Sequence, residues 1–172
     1  MHVVTDNEEY PDAVAAPHPL EELYQREYRN LVRLAAILVD DRATCEEIVQ
    51  DAFVRTLVSW RSVRDPEKAP AFLRSAVLNG ARSKLRRREV ARRHPDVPLA
   101  PVPSVEAASV DHHVVVHALR RLPDRQRDCV VLRYYLDLPE REIAATLGIS
   151  GGSVKTHLHR GLAALAAHLE DR

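Results

Sequence analysis

The chain has 172 residues, which is enough for one or two small domains. Leu, Ala, Val and Arg dominate, and runs that alternate apolar and polar residues are few, which predicts an all-α protein. No apolar run approaches the roughly 20 residues that a membrane span needs, and the N-terminus lacks the order of a signal peptide. We therefore expect a cytoplasmic protein without membrane insertion.

The charges are distributed unevenly along a chain whose net charge is zero. Residues 1–60 hold 5 basic and 12 acidic residues, whereas residues 61–93 hold 11 basic and 3 acidic ones. Residues 94–172 are nearly neutral, with 9 basic and 10 acidic residues. The zero net charge, taken alone, argues against a nucleic-acid partner. However, an acidic segment followed by a basic segment indicates that each segment has its own partner.

The sequence has no arrangement typical of a catalytic or metal site. Cys45 and Cys129 are far apart and are expected to be apolar core residues. Histidines such as His157 and His159 have no acidic or thiol partner at ligand spacing. No catalytic carboxylate pair, glycine-rich phosphate loop or Ser/His/Asp order is present. We expect no catalytic residue, no metal, no cofactor and no small-molecule substrate.

The first part of the chain predicts a leader and two helices. Residues 1–19 are acidic and lack an apolar period, which is typical of a disordered leader. An amphipathic pattern over residues 20–38 predicts the first helix. A second helix is expected over residues 42–60, antiparallel to the first because their connection is short. Four residues are expected on its apolar side: Ile48, Ala52, Phe53 and Leu57.

A third helix is expected to begin at Pro70, because proline fits the first turn of a helix. It ends in the densest basic run of the chain, with seven cations within twelve positions (82–93). Such a run is either a solvated helix tail or a nucleic-acid contact, and its density favours the contact. Residues 94–111, which include four prolines, predict a semi-extended linker that leaves the angle between two domains open.

Residues 139–165 carry two helical patterns on either side of a short break. Gly148 accepts the positive φ of a turn, Ser150 can cap the next helix, and small Ala144 suits a helix crossing. This pattern is typical of a helix-turn-helix, whose second helix meets base edges in DNA-binding proteins. A purely structural corner of two helices has the same pattern. The second helix is expected to bury one stripe: Val154, Leu158, Leu162 and Leu165.

Together these features resemble the extracytoplasmic-function (ECF) sigma factors of bacteria, group IV of the sigma-70 family, and most of all its actinobacterial members. Three segments carry the resemblance: EEIVQDAFVRTLVSW (46–60), FLRSAVLNGARSKLRRR (72–88) and residues 119–165. The third is the most specific, because an LP-x-x-x-R start, a Tyr pair and a VK-[ST] motif follow in the order of the family. The resemblance implies sigma region 2 at residues 20–93 and sigma region 4 at residues 112–172.

The resemblance also implies a division of labour. Region 2 would bind the β′ clamp helices of core RNA polymerase and melt the minus-ten promoter element, with an unpaired base held at Asn79. Region 4 would bind the minus-thirty-five element and meet the β flap, and an anti-sigma factor would hold the chain inactive. Departures from the family, such as Phe72 in place of Trp and the pair Gly151 and Gly152, concern the promoter sequence.

Three sets of residues follow from the resemblance. The polymerase set is Glu47, Gln50, Asp51 and Arg55. The minus-ten set is Phe72, Arg74, Asn79, Arg82, Lys84, Arg86, Arg87 and Arg88. The minus-thirty-five set is Gly152, Ser153, Lys155, Thr156, His159 and Arg160.

Two other functions remain open. An ordinary helix-turn-helix regulator would form a stable homodimer that binds duplex DNA without polymerase. A helical adaptor protein would lose no DNA-linked activity when Lys155 and Arg160 are replaced by Ala. The basic end of the third helix does not suit a dimer core, which argues against the first of these.

Overall fold

The computed structural model describes residues 19–39, 41–59, 65–93 and 110–170. Within these ranges the regular structure is entirely helical, which confirms the all-α prediction. The predicted leader, apart from Pro19, and most of the predicted linker lie outside the described residues. The elements are α1 (Pro19–Leu38), α2 (Arg42–Ser59), a 3-10 turn (Pro66–Lys68), α3 (Ala69–Arg93), α4 (Val110–Arg121), α5 (Asp124–Tyr134), α6 (Glu140–Leu147) and α7 (Gly151–Glu170).

Helix α2 buries the face that helical spacing predicts, with one exception. Cys45, Ile48, Ala52 and Phe53 are buried on α2. Leu57 was expected there but is 54% exposed. Thr56 is buried instead. Its hydroxyl group donates a hydrogen bond to the Ala52 carbonyl at 2.8 Å, so the hydroxyl keeps a hydrogen-bond partner away from water.

Helix α3 is the longest of the described helices and lies at the centre of the packing. It follows the 3-10 turn and has Pro70 in its first turn. Leu73, Val77 and Ala81 are fully buried along one side. Helix α3 packs against α1 and α2, and it also packs against α6.

The predicted helix-turn-helix is present as α6 and α7. Gly148 ends α6 in the left-handed conformation, with φ 63°, and its N–H donates to the Ala144 carbonyl. The Ser150 hydroxyl accepts a hydrogen bond from the Ser153 N–H at 3.1 Å and so caps α7. Val154 is buried as expected, but Leu162 is exposed. Gly161 is buried in its place, because α5 approaches α7 closely at that point.

The two halves of the chain share a core. Buried apolar residues of α1–α3, such as Leu73, belong to the same cluster as those of α4–α7, such as Leu132 and Ile143. Helix α1 also contacts α4, where the Arg120 Nε donates to the Ile37 carbonyl at 3.3 Å. The angle between the halves, which the linker composition left open, is therefore defined in this structure by direct packing.

Candidate nucleic-acid interface

The polymerase set lies together on one side of α2. All four residues are exposed. Their spacing of three or four positions places them on one helical face. Three large apolar side chains, Val54, Leu57 and Val58, are also exposed on α2, and Val58 is 79% accessible. Sequence reasoning missed this apolar group, although Val54 and Val58 continue the spacing that begins at Glu47.

A groove between α2 and α3 brings part of the polymerase set and part of the minus-ten set together. Glu47, Asp51 and Arg55 line it from α2, and Asn79 and Arg87 line it from α3. Lys84 lies at the same groove, and its Nζ contacts the two Glu47 carboxylate oxygens at 2.6 and 2.7 Å. The basic side of α3 and the acidic side of α2 therefore neutralise each other in part.

Arg88 of the minus-ten set is paired within the first half of the chain. Its Nη2 contacts the Asp41 Oδ2 at 2.6 Å and the Thr44 hydroxyl at 3.2 Å. Asp41 also accepts a hydrogen bond from the Thr44 N–H at 2.7 Å. Burial alone would raise the pKa of Asp41, but these hydrogen bonds and the Arg88 charge lower it below its ordinary value.

Arg82 of the minus-ten set is paired with the second half of the chain. Its Nη2 donates to Asp128 of α5, whose side chain is 0% exposed, and its Nη1 donates to Asn79 at 2.9 Å. Asp124 lies near the same guanidinium group, at 4.0 Å from Nε. Burial raises the pKa of Asp128 above its ordinary value, although the Arg82 charge opposes this shift.

Arg74 was expected to contact DNA but is only 7% exposed. Its Nη2 donates to Glu142 of α6 at 3.3 Å, across the contact between α3 and α6. In this conformation Arg74 is therefore closed off from DNA, because α6 covers it. The exposed members of the minus-ten set are Phe72, which is 47% accessible, and Asn79, Arg86 and Arg87.

The minus-thirty-five set lies on the outer side of α7. Ser153 is half-buried at the capping turn, and Lys155 is only loosely paired, with Nζ at 3.8 Å from Glu140. Thr156 donates its hydroxyl to the Gly152 carbonyl at 3.0 Å. The set thus forms a surface at the N-terminal half of α7, where a duplex groove can approach. Its exposed members are Gly152, Lys155, Thr156, His159 and Arg160.

Other kinds of site are not found in the described part of the chain. No group of three or more His, Cys, Asp or Glu residues among the described residues could hold a metal ion. None of the described helices combines the length and apolarity required to cross a membrane. Cys45 and Cys129 are buried, as expected for core residues.

The comparisons with known proteins agree with this geometry. Residues 23–90 match the family model for Sigma-70 region 2, and residues 112–165 match the one for Sigma-70, region 4. The RNA polymerase sigma-E factor of Streptomyces avermitilis is 37% identical over 160 residues, which cover 88% of this chain and 86% of that protein. The ECF RNA polymerase sigma factor SigM of Mycobacterium tuberculosis is 32% identical over 155 residues, which cover 87% of this chain and 76% of that protein.

Two solved structures have the same fold. The sigma factor RpoE of Bartonella quintana, in complex with the anti-sigma factor NepR, has a TM-score of 0.66 at 22% identity, covering 88% of this chain and 99% of that one. CnrH, in complex with the cytosolic domain of CnrY, has a TM-score of 0.66 at 25% identity and covers 88% of both chains. With two sigma regions in the expected order and relatives that match most of its length, the chain belongs to the ECF family of RNA polymerase sigma factors, the initiation factors that bind core polymerase and direct it to promoters.

Proposed function

We propose that this sigma factor divides its work between residues 20–93, acting as region 2, and residues 112–172, acting as region 4, with residues 94–111 as the linker. The observation that carries the proposal is the groove between α2 and α3, which three residues of the polymerase set and three of the minus-ten set line together: Glu47, Asp51, Arg55, Asn79, Lys84 and Arg87. A chain docked on polymerase through α2 holds its DNA-melting residues beside the docking site. The factor has no catalytic activity of its own and acts in the cytoplasm, beside the polymerase.

The exposed face of α2 binds the β′ clamp helices of core polymerase. Its polar residues, among them Asp51, are accessible, and the adjoining exposed residues Val54 and Val58 supply apolar area. Exposed apolar groups with a polar surround are typical of protein contacts. This combination supports a polymerase contact that is stronger than the charges alone would give.

The exposed part of the minus-ten set grips the melted strand. Phe72 offers an aromatic face on which a base can stack, and Asn79 offers an amide to an unpaired base. Arg86 and Arg87 are placed to contact the phosphates. Stacking combined with a basic groove is the usual way in which proteins hold single-stranded nucleic acid.

The N-terminal half of α7 enters the major groove of the minus-thirty-five element. Lys155 and Arg160 supply phosphate or base contacts, and the small Gly152 lets the DNA backbone approach the helix. Region 4 also meets the β flap of the polymerase. An anti-sigma factor holds the chain inactive, a proposal supported by the complex of the sigma factor RpoE with the anti-sigma factor NepR.

The test combines binding and transcription. The purified chain is mixed with bacterial core polymerase, co-elution is followed, and run-off transcription is measured on a library of genomic fragments. Asp51→Ala is expected to weaken co-elution because it removes an exposed carboxylate from the docking face. Glu22→Ala, which removes an exposed carboxylate from α1, serves as the matched control and should leave co-elution intact.

Two DNA-side variants complete this test. Lys155→Ala and Arg160→Ala should leave co-elution unchanged but reduce run-off from promoters, and each lost phosphate contact should lower the salt dependence of DNA binding by about one unit of slope. Arg121→Ala, at an exposed position of α4, is the control. Stable dimeric binding to duplex DNA with no association with core polymerase would instead establish an ordinary regulator.

A further inference from the structure

We propose that Arg82 is a positioning residue for Asn79: it holds the Asn79 side chain so that the amino group, and not the carbonyl oxygen, faces an unpaired base. The inference rests on the proposed function, because it gives a direction to the amide that the proposed function places against the melted strand. The group that this amide recognises on the base is then a hydrogen-bond acceptor, either a ring nitrogen or a keto oxygen.

The contact between the two side chains determines which end of the amide is which. The Arg82 Nη1 lies 2.9 Å from the Asn79 Oδ1. A guanidinium group has five N–H donors and no acceptor, so only the carbonyl oxygen of an amide can face it at this distance. A half-turn of the Asn79 amide would place two donors against each other. The amino group therefore lies on the side of the amide away from Arg82.

Asn79 is exposed and lines the groove between α2 and α3, beside Lys84 and Arg87. With its carbonyl oxygen held by Arg82, the amino group is the part of Asn79 left for a ligand in this groove. An amino group donates hydrogen bonds to ring nitrogens and keto oxygens, and it finds no acceptor in the exocyclic amino groups of adenine and cytosine. The direction of the amide therefore affects which base is preferred.

Arg82 is held in place from two directions. Its Nη1 donates to Asn79 while its Nη2 donates to Asp128, and the Arg82 side chain is only 25% accessible. Arg82 and Asn79 are three positions apart on α3, so they are neighbours on the surface of one helix. Their contact therefore requires α3 alone, and Asp128 supplies a second fixed point for the guanidinium group.

The direction of the amide is tested first in the full-length chain without DNA. The chain has three asparagines, Asn7, Asn30 and Asn79, so labelling with ¹⁵N-asparagine gives few side-chain amide signals, and Asn79→Ala identifies that of Asn79. Arg82→Lys should shift this signal, because one ammonium group does not reproduce the two Nη atoms of the fork. The signal of Asn30, which is exposed on α1, should stay in place. An Asn79 signal that is unchanged in Arg82→Lys would overturn the proposal.

The effect on base choice is tested by transcription. A promoter recovered by run-off is randomised over its minus-ten element, and a barcode in the transcribed region identifies each sequence among the products made with core polymerase. Arg82→Lys and Arg82→Met should each lower the base preference at one position by about two- to tenfold, as the loss of one hydrogen bond does. Asn79→Asp, which keeps an acceptor for Arg82 but has no amino group, should lower the preference at the same position.

Arg86→Met is the matched control, because Arg86 is an exposed arginine of the same helix that is placed to contact phosphates. It should weaken transcription from all sequences alike and lower the salt dependence of DNA binding by about one unit of slope, with the base preference unchanged. A uniform loss of this kind in Arg82→Met would overturn the positioning role. If Arg82→Met loses helical circular dichroism, Arg82→Lys alone decides, since lysine keeps a positive charge beside Asp128.

The outcomes separate this inference from the proposed function. A preference that is lost in Asn79→Ala but kept in Arg82→Lys and Arg82→Met would overturn the inference and leave Asn79 as the base contact. A preference that is kept in Asn79→Ala would overturn the minus-ten role proposed for Asn79, and the inference with it. Absence of run-off from the unmodified chain would overturn the proposed function as a whole, while a shift of the Asn79 signal in Arg82→Lys would retain the oriented amide.

Discussion

Asp41 stabilises the start of α2 with both its backbone and its side chain. Its carbonyl accepts the first helical hydrogen bond, from the Cys45 N–H at 3.1 Å, and its carboxylate caps the Thr44 N–H. The same carboxylate contacts Arg88, near the end of the basic helix. One buried acidic group therefore fixes both the beginning of α2 and the position of α3 beside it.

Replacing Asp41 with Asn tests the charge while keeping a capping oxygen. We expect Asp41→Asn to lower the free energy of unfolding at pH 7 by about 1–2 kcal/mol, because the contact with Arg88 is a charge-assisted hydrogen bond. Since folding lowers the pKa of Asp41, its stabilisation is present above the ordinary value of 3.8 and is lost as the pH falls below it. Urea unfolding followed by circular dichroism at pH 7, 5 and 3 measures this.

A matched variant controls for loss of charge. Glu46→Gln removes the carboxylate of an exposed pair with Arg42, one turn along α2, and should change stability little at any pH. A penalty for Asp41→Asn that is as large at pH 3 as at pH 7 would show that the effect is not electrostatic.

Among the helices, α5 and α7 make an unusually close approach at Gly161. A Cβ atom added there would lie 2.8 Å from the Val130 Cγ2 and 3.2 Å from the Gln126 carbonyl oxygen. A backbone oxygen cannot move aside as a side chain can. The angle of α7 against α5 is therefore held by a position that has no side chain.

Gly161→Ala should destabilise the protein by about 1–3 kcal/mol, as overpacking does in other cores. Gly151→Ala in the same helix is the control: nothing lies within 4 Å of its added Cβ, so the higher helix propensity of Ala should make it neutral or mildly stabilising. Thermal unfolding of both variants measures the difference. Equal stabilities would mean that α5 and α7 can move apart freely.

Element by element, local pattern predicted much of the fold, and its failures have physical causes. Helix starts and ends, the turn at Gly148 and the cap at Ser150 are local properties and were predicted closely. Leu57 and Leu162 were wrongly assigned to the core. Helical spacing identifies the apolar face of a helix, but it does not show whether another helix packs against every position of that face. Gly161 is buried next to Leu162 only because α5 approaches α7 at that position.

The candidate site also has a part that the sequence predicts and a part that it does not. The exposed faces of α2 and α7 follow from helical spacing, so their positions were predictable. The pairing of Arg82 with Asp128 was not, because its partners are distant in sequence and are ordinary surface residue types. Whether a cation is accessible or covered depends on how the two halves pack. No short stretch of sequence records that packing.

At the scale of the whole molecule, each half contains one buried cysteine, Cys45 in α2 and Cys129 in α5. Because the apolar core is continuous, we expect both thiols to become reactive at the same urea concentration in a pulse-labelling experiment read by peptide mass spectrometry. Burial raises the pKa of Cys129 to about 11, so at pH 8 this thiol reacts only after the structure opens.

The variant Glu142→Gln is the comparison, because it weakens the contact between the halves without touching either cysteine. Its two labelling midpoints should separate. Separate midpoints already in the unmodified chain would show that the halves fold independently and that the shared core contributes little to stability.

The pairing of Arg82 with Asp128 also bears on how the protein behaves among an excess of genomic DNA. Chemically, Asp128 is a tethered substitute for a DNA phosphate, and a group on the same chain acts at an effective concentration of order millimolar. While the two halves are packed together, Arg82 is paired with this carboxylate, so Asp128 occupies the cation that a DNA phosphate would otherwise contact.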